Sequence, residues 1–246
     1  MSNLTCVGED AAEHGRLAEA QVTALLAAHA QWLASNGNEG SKFDQPGANL
    51  IYGGFLAADL THANLAGACL FNANLRESKL SHANLAHANL EGASMVNVDL
   101  TQATLVGANL YKVVSPGAIF EAADLSDAQL HATNFLSANF TRAKLRGANF
   151  TDANLAGAQL HEADLTAANL TAAKLMLADF SHAGLRGASL SRAVMFGSIL
   201  EGADLADADL STALGLTAAQ LATAYGNGGT RLPAALAGLV LRESPK

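Results

Sequence analysis

Eight histidines in 246 residues are the first place to look for chemistry, because imidazole serves both as a general base and as a metal ligand. His161 and Glu162 are adjacent, as a carboxylate-oriented base would need, but no nucleophile motif accompanies them. The G-x-S-x-G elbow, the phosphate-loop signature and H-E-x-x-H are all absent. Gly226-Asn-Gly-Gly229 follows no predicted strand–loop–helix unit and is a weak nucleotide loop. Cys6 and Cys69 are too few for a disulfide framework and do not form a metal-binding pair. The side chains therefore predict no catalysis, no cofactor and no metal.

What positions those side chains is a repeat. Of the 33 positions numbered in fives from Leu50 to Leu210, 24 are Leu, six are Phe and two are Met, leaving only Ser115. Two residues before each lies a small-residue register, Ala at 27 of 33 positions. A period of five matches neither the 3.6 of a helix nor the 2 of a strand, so it points to a solenoid. If positions i and i−2 face inward, a large apolar residue fills the centre and an alanine lets the wall turn beside it. The other three residues face water, which accounts for their Asn, Asp, Thr, Ser and Gly. Glycine is frequent at i+2 (Gly67, Gly92, Gly107, Gly147, Gly157, Gly187), where a corner needs an unusual backbone angle.

Ala-Asn-Leu at 48–50, 63–65, 73–75, 83–85 and 88–90, with Ala-Asp-Leu at 58–60, 123–125, 163–165 and 203–205, resembles the pentapeptide repeat proteins. The resemblance covers about two thirds of the chain. It implies an all-β solenoid, a right-handed quadrilateral β-helix with 20 residues per coil. The 165 residues from Pro46 to Leu210 then form just over eight coils, a rod roughly 40 Å long at the spacing of hydrogen-bonded strands.

On such a coil, residues 20 apart share a column. His62 and His82 should stack, but Gln102 and Ala122 follow them and supply no third ligand. Asp59, Lys79 and Asp99 form one charge ladder, Asp124, Lys144 and Asp164 a second, and Arg142, Glu162 and His182 a third. Each such pair is worth about a few tenths of a kcal/mol at a wet surface. Around Val113–Gly117 a local bulge is expected, since Ser115 occupies a centre and Pro116 removes a backbone donor.

The chain divides into a leader and capping helix at 1–45, the repeat at 46–215, and a C-terminal cap at 216–246 that is a possible dimerisation segment. Leu17, Val22, Leu25, Leu26, His29, Trp32 and Leu33 lie on one helical face, and Gly37 is a stop signal. The run His29-Ala-Gln-Trp32-Leu33, followed by Gly37, Gly40 and Lys42-Phe43-Asp44, resembles the leader of many family members. Phe43 and Gln45 replace the usual Ala and Leu there, so the first rung should be imperfect. Thr217-Ala-Ala-Gln220 reads as a capping box opening a short C-terminal helix.

A net charge of −8 argues against nucleic acid as a direct ligand. No apolar run is long enough for a membrane helix, and the first ten residues lack secretory-signal features, so a bacterial cytoplasm is expected. Two functions follow. The first is a protein-interaction scaffold or homodimer using one apolar wall. Its column is Leu56, Arg76, Val96, Pro116, Leu136, Ala156, Met176 and Phe196, supported by Leu177 and by Val114 and Val194. Ile51, Tyr52, Phe71 and Tyr111 would extend it round a corner. The alternative comes from the resemblance: a mimic of duplex DNA that binds DNA gyrase or topoisomerase IV and protects it from quinolone-like inhibitors. That needs a negative surface, offered here by Glu201, Asp204, Asp207 and Asp209.

Overall fold

A computed structural model describes residues 15–243. From Leu50 to Leu210 every fifth side chain is buried, and so are those two residues before, except Ala48 and Ala58 in the first coil, which are half-buried. Parallel bridges join residues 20 apart without interruption, from Asp44–Asn64 to Val194–Leu214, so four pentapeptides close each coil. We name the walls by their centres: A runs from Phe55 to Met195, B from Leu60 to Leu200, C from Leu65 to Leu205, and D from Leu50 to Leu210.

One pentapeptide shows why this sequence turns as it does. The Leu125 N–H donates to the Lys144 carbonyl (2.8 Å) and the Asp127 N–H to that of Arg146 (2.9 Å) on the next coil. The Asp124 N–H donates back to Ala103 (2.9 Å). The corner closes when the Leu125 carbonyl accepts from the Ala128 N–H (3.1 Å), with Asp127 at φ 58°. Such a turn demands a left-handed residue at its third position, which Gly, Asn and Asp tolerate best. The i−1 carboxamide or carboxylate then accepts the spare i+1 N–H, as when Ser126 donates to Asp124 (3.1 Å). Asparagines at i−1 also bond from coil to coil: Asn84 Nδ2 donates to Asn64 Oδ1 (3.2 Å) and Asn64 to Asp44 (2.7 Å). The Ala-Asn-Leu signature is thus a wall residue, a turn cap and a core residue.

The exceptions in the small column satisfy themselves. The hydroxyls of Ser78, Thr133 and Ser198 donate to the carbonyls of Leu75, Leu130 and Met195 at 2.7, 2.6 and 2.9 Å. The bulge expected at Val113–Gly117 does not form. Val114 stays in register with Ser94 and Asn134, Phe120 is fully buried, and the Ser115 hydroxyl donates to the Met95 carbonyl (3.1 Å). Pro116 costs nothing because the i+1 N–H faces outward and takes no part in the ladder; Val114 offers it no acceptor in any case.

Both ends are covered. Helix α1 (Glu19–Ala34) buries Val22 and His29 and packs Leu25 and Leu26 against the core. It ends at the cap Ser35, after which Asn36 (φ 52°) and Gly37 (φ 88°) turn the chain away and the Gly37 N–H donates to the Trp32 carbonyl (2.8 Å). Gly40 is required where the chain recrosses the helix, since a Cβ there would stand 2.2 Å from the Ala28 carbonyl oxygen. The imperfect first rung is real: Phe43 is fully buried against Phe55 (6.2 Å between ring centres), while Gln45 is half-buried. Cys69 is disulfide-bonded, which the cysteine count did not anticipate; Cys6, the other cysteine in the sequence, lies outside the described residues, as do the remaining residues before Gly15.

At the far end, α2 (Ala218–Leu221) opens with the expected Thr217–Gln220 box. Gln220 Nε2 then donates to the Met195 and Ser198 carbonyls at 3.0 and 2.9 Å. The C-terminal segment is more than a helical cap, because the ladder continues through it. Tyr225 pairs with Asp204 and Arg231 with Asp209, steps of 21 and 22 residues, and β1 (Tyr225–Gly226) carries β2 (Arg242–Glu243) in parallel.

Candidate interaction surface

The polar columns are structural. His62 and His82 stack at 4.9 Å, with Trp32 edge-on to His62 at 6.4 Å. Among the described residues no group of three or more His, Cys, Asp or Glu side chains could hold a metal ion. Two ladders form in part: the columns align as expected, but each lysine pairs with one carboxylate only, Lys79 lying 3.8 Å from Asp59 and Lys144 3.4 Å from Asp124. The third is corrected. Arg142 pairs with Glu121 and Glu162 with its neighbour His161 (3.4 Å), because the i+1 and i+2 residues of a corner lie closer than the column suggests. Burial pushes the carboxyls of Asp59, Asp99 and Asp124 up, but hydrogen bonds from Thr61, Thr101 and Ser126, with nearby lysine, outweigh it and hold all three below the usual value.

Wall A is the apolar one, though its apolar groups are unevenly spread. Leu56 is 58% exposed and Leu177 71% exposed; Leu136, Met176 and Phe196 are also exposed, while Val96 and Val194 are half-buried. Arg76, Pro116 and Ala156 interrupt the column. The exposed apolar groups gather instead near the C-terminal end, where Leu214 continues the Lys174–Val194 ladder and Ile199 lies on the adjoining wall B. Leu214 lies one 20-residue step beyond Val194, past the last regular centre at Leu210, whereas Ile199 ends a wall B column that is otherwise mostly polar and joins the group only across the corner. Leu177 leans over Gly197 and Phe196 over Gly215, where a Cβ would come within 2.9 and 2.6 Å.

The proposed extension round the corner is corrected in part. Ile51 is only 3% exposed, because the N-terminal segment crosses it: the Leu17 N–H donates to the Asn49 carbonyl (3.1 Å). Tyr52 remains exposed, with half-buried Phe71 edge-on at 6.1 Å. Tyr111 is half-buried, stacked on His131 at 4.3 Å with Lys112 over its ring. The acidic group is also less bare than its sequence implies. Arg186 lies 2.9 Å from Asp204 and Arg231 lies 3.0 Å from Asp209, while Asp207 accepts from Asn227 (3.0 Å). No arginine lies near these acids in the sequence; the coil supplies two.

Clefts of about 250, 320 and 340 Å³ occur at the two ends, beside Ile51, Trp32 and Gly226. Gly226, Asn227 and Gly228 line the last of these, but the turn is spent internally: Asn227 accepts from the Gly229 N–H (2.9 Å) and its own N–H donates to Thr230 (3.0 Å). No helix among the described residues is long and apolar enough to cross a membrane.

The family model for pentapeptide repeats matches residues 47–77, 78–114, 133–171 and 173–211 in eight copies, and the chain belongs to that family. Membership implies right-handed coiling. Among solved structures, HetL of the cyanobacterium Nostoc, a pentapeptide repeat protein involved in heterocyst differentiation regulation, is 29% identical over 88% of this chain and 99% of its own, with a TM-score of 0.49. A trypsin-treated variant of QnrB1, a plasmid-mediated fluoroquinolone resistance protein, is 16% identical over 79% and 92%, with a TM-score of 0.43. A thylakoid-lumen pentapeptide repeat protein of Arabidopsis thaliana is 29% identical over 38% and 65%, with a TM-score of 0.37. No curated protein sequence matches the chain.

Proposed function

We propose that this chain is a non-catalytic scaffold that binds a protein partner along wall A. The observation that carries the reading is the cluster of Met176, Leu177, Phe196, Ile199 and Leu214, exposed together near one end of the rod, beside smaller exposed apolar groups at Tyr52 and Leu56 and at Val114, Ile119 and Leu136. Contiguous apolar surface of this kind marks interaction sites in soluble proteins, and aromatic anchors such as Phe196 supply much of the energy at interfaces. The stacked coils hold these side chains in fixed register, so binding requires little ordering of the surface. Replacing Leu177 and Phe196 by Lys should leave the circular dichroism and melting temperature unchanged and abolish association. Light scattering reads self-association and pull-down from the native host reads a different partner. A double variant that keeps wild-type mass and recovers the same partners removes wall A from consideration.

Mimicry of duplex DNA toward a topoisomerase is the second reading, and the ion pairs of Asp204 and Asp209 weaken it by neutralising the acids it would use. A gyrase supercoiling assay with and without a quinolone tests it directly; neither inhibition nor protection at excess protein rejects it.

A further inference from the structure

Among the described residues His29 is the one fully buried histidine, and its two ring nitrogens are unlike each other. Nδ1 accepts the Phe43 N–H at 3.0 Å. Nε2 is buried with no hydrogen-bond partner. The ring is held between Trp32, stacked at 5.6 Å, and Phe43, edge-on at 6.4 Å. Phe43 in turn belongs to the first rung of the solenoid: its carbonyl accepts the Asn64 N–H (2.8 Å). One imidazole thus joins helix α1 to the rod.

We propose that His29 is an acid-operated latch, which pins α1 to the first coil while neutral and releases it on protonation. Accepting at Nδ1 requires the lone pair there, so the ring proton must sit on Nε2. A second proton can only enter at Nδ1, where it meets the Phe43 N–H, donor against donor, and leaves a charge buried between aromatic rings. The charged and titratable groups facing the ring are Asp59 on wall B, Lys42 on the crossing loop and His62. Burial lowers the imidazole's proton affinity most; the Thr61 backbone and Asp59 oppose it, and Lys42 and His62 add to it, for a net fall below the ordinary value of 6.5. A folded-state value below the unfolded one gives stability that is complete above about pH 6.5 and is lost as pH falls. Release would lift Val22, Leu25 and Leu26 from the core and bare the first rung as an open β-edge, a template for strand addition.

The test is residue-resolved amide exchange on the full chain between about pH 7.5 and about pH 5, the range over which histidine titrates. After correction for intrinsic exchange, the Phe43 amide should lose protection as pH falls, by up to about tenfold per pH unit, the limit for uptake of one proton, while Leu125 and Leu165 keep theirs. His29→Asn retains an acceptor near the Nδ1 position but cannot take up a proton, so its profile should be flat; His62→Gln should behave as wild type. The same acid-dependent loss in His29→Asn, or none in wild type, overturns the latch. Should that variant fail to dock α1 at neutral pH, nitrogen-15 spectra of wild-type His29 decide: Nδ1 must be unprotonated near pH 7, and its titration midpoint must coincide with loss of Phe43 protection. A mismatch rejects the proposal.

Discussion

The Phe55 ring lies so close to Gly53 that a Cβ on the glycine would stand 2.5 Å from the ring's Cε2 and 2.8 Å from the Leu50 carbonyl oxygen. Gly53 is a glycine in a column otherwise dominated by alanine, and the neighbouring ring explains it: Phe43, capping the first rung, packs edge-on against Phe55. Gly53→Ala should overpack the first coil and cost about 1–3 kcal/mol. Phe55→Leu should recover part of that loss, read as a coupling energy in a double-mutant cycle by chemical denaturation. Strictly additive effects would mean the ring and the glycine are independent.

Leu125→Asp places a carboxylate among fully buried leucines and should cost at least about 4 kcal/mol or abolish folding. The outward control is Ala132→Asp, at an exposed left-handed corner (φ 56°) that aspartate tolerates. Ser126→Asp, which looks neutral from sequence, is a poorer control, because Ser126 donates two hydrogen bonds to Asp124 and a carboxylate there would repel it. Thermal melts showing equal stability of Leu125→Asp and wild type would contradict the inward assignment.

Pro116→Ala should change stability by less than about 0.5 kcal/mol, as for a surface site away from special features. The i+1 N–H it restores takes no part in the ladder, and the Val114 side chain beside it has no acceptor. A larger loss would reveal a role for the ring itself in wall A.

The rod should lose stability in acid. Asp59, Asp99 and Asp124 are held below the ordinary carboxyl value, so the stability they contribute is present above about pH 4 and disappears as pH falls through their folded values. Asp124→Asn keeps the turn cap, as asparagine does in many other pentapeptides, but removes one titrating group. Its melting temperature should therefore vary less with pH in the acid range than that of wild type. An unchanged pH profile would show that Asp124 is not among the groups responsible.

The core register, the corner positions and the 20-residue coil were all legible in the sequence, because a stacked solenoid writes the same local demand at every rung. Leu125 is inside and Asp127 is left-handed for reasons contained within one pentapeptide. Ion pairs along Asp59–Lys79 and Asp124–Lys144 followed by counting coils. Tertiary structure alone decided what happens where the period breaks or where corners compete. Ile51 is buried because a segment from outside the repeat crosses it, and Arg231 reaches Asp209 because the last rungs take 21 and 22 residues. Arg142 chose Glu121 over its column partner through the local separation of two corner side chains. His29 looked like one more apolar-face residue of a capping helix; its significance lies in a hydrogen bond to Phe43 that no periodicity encodes. Repetition makes the interior of this protein readable from its residues, and the absence of repetition leaves its two ends to be settled by packing.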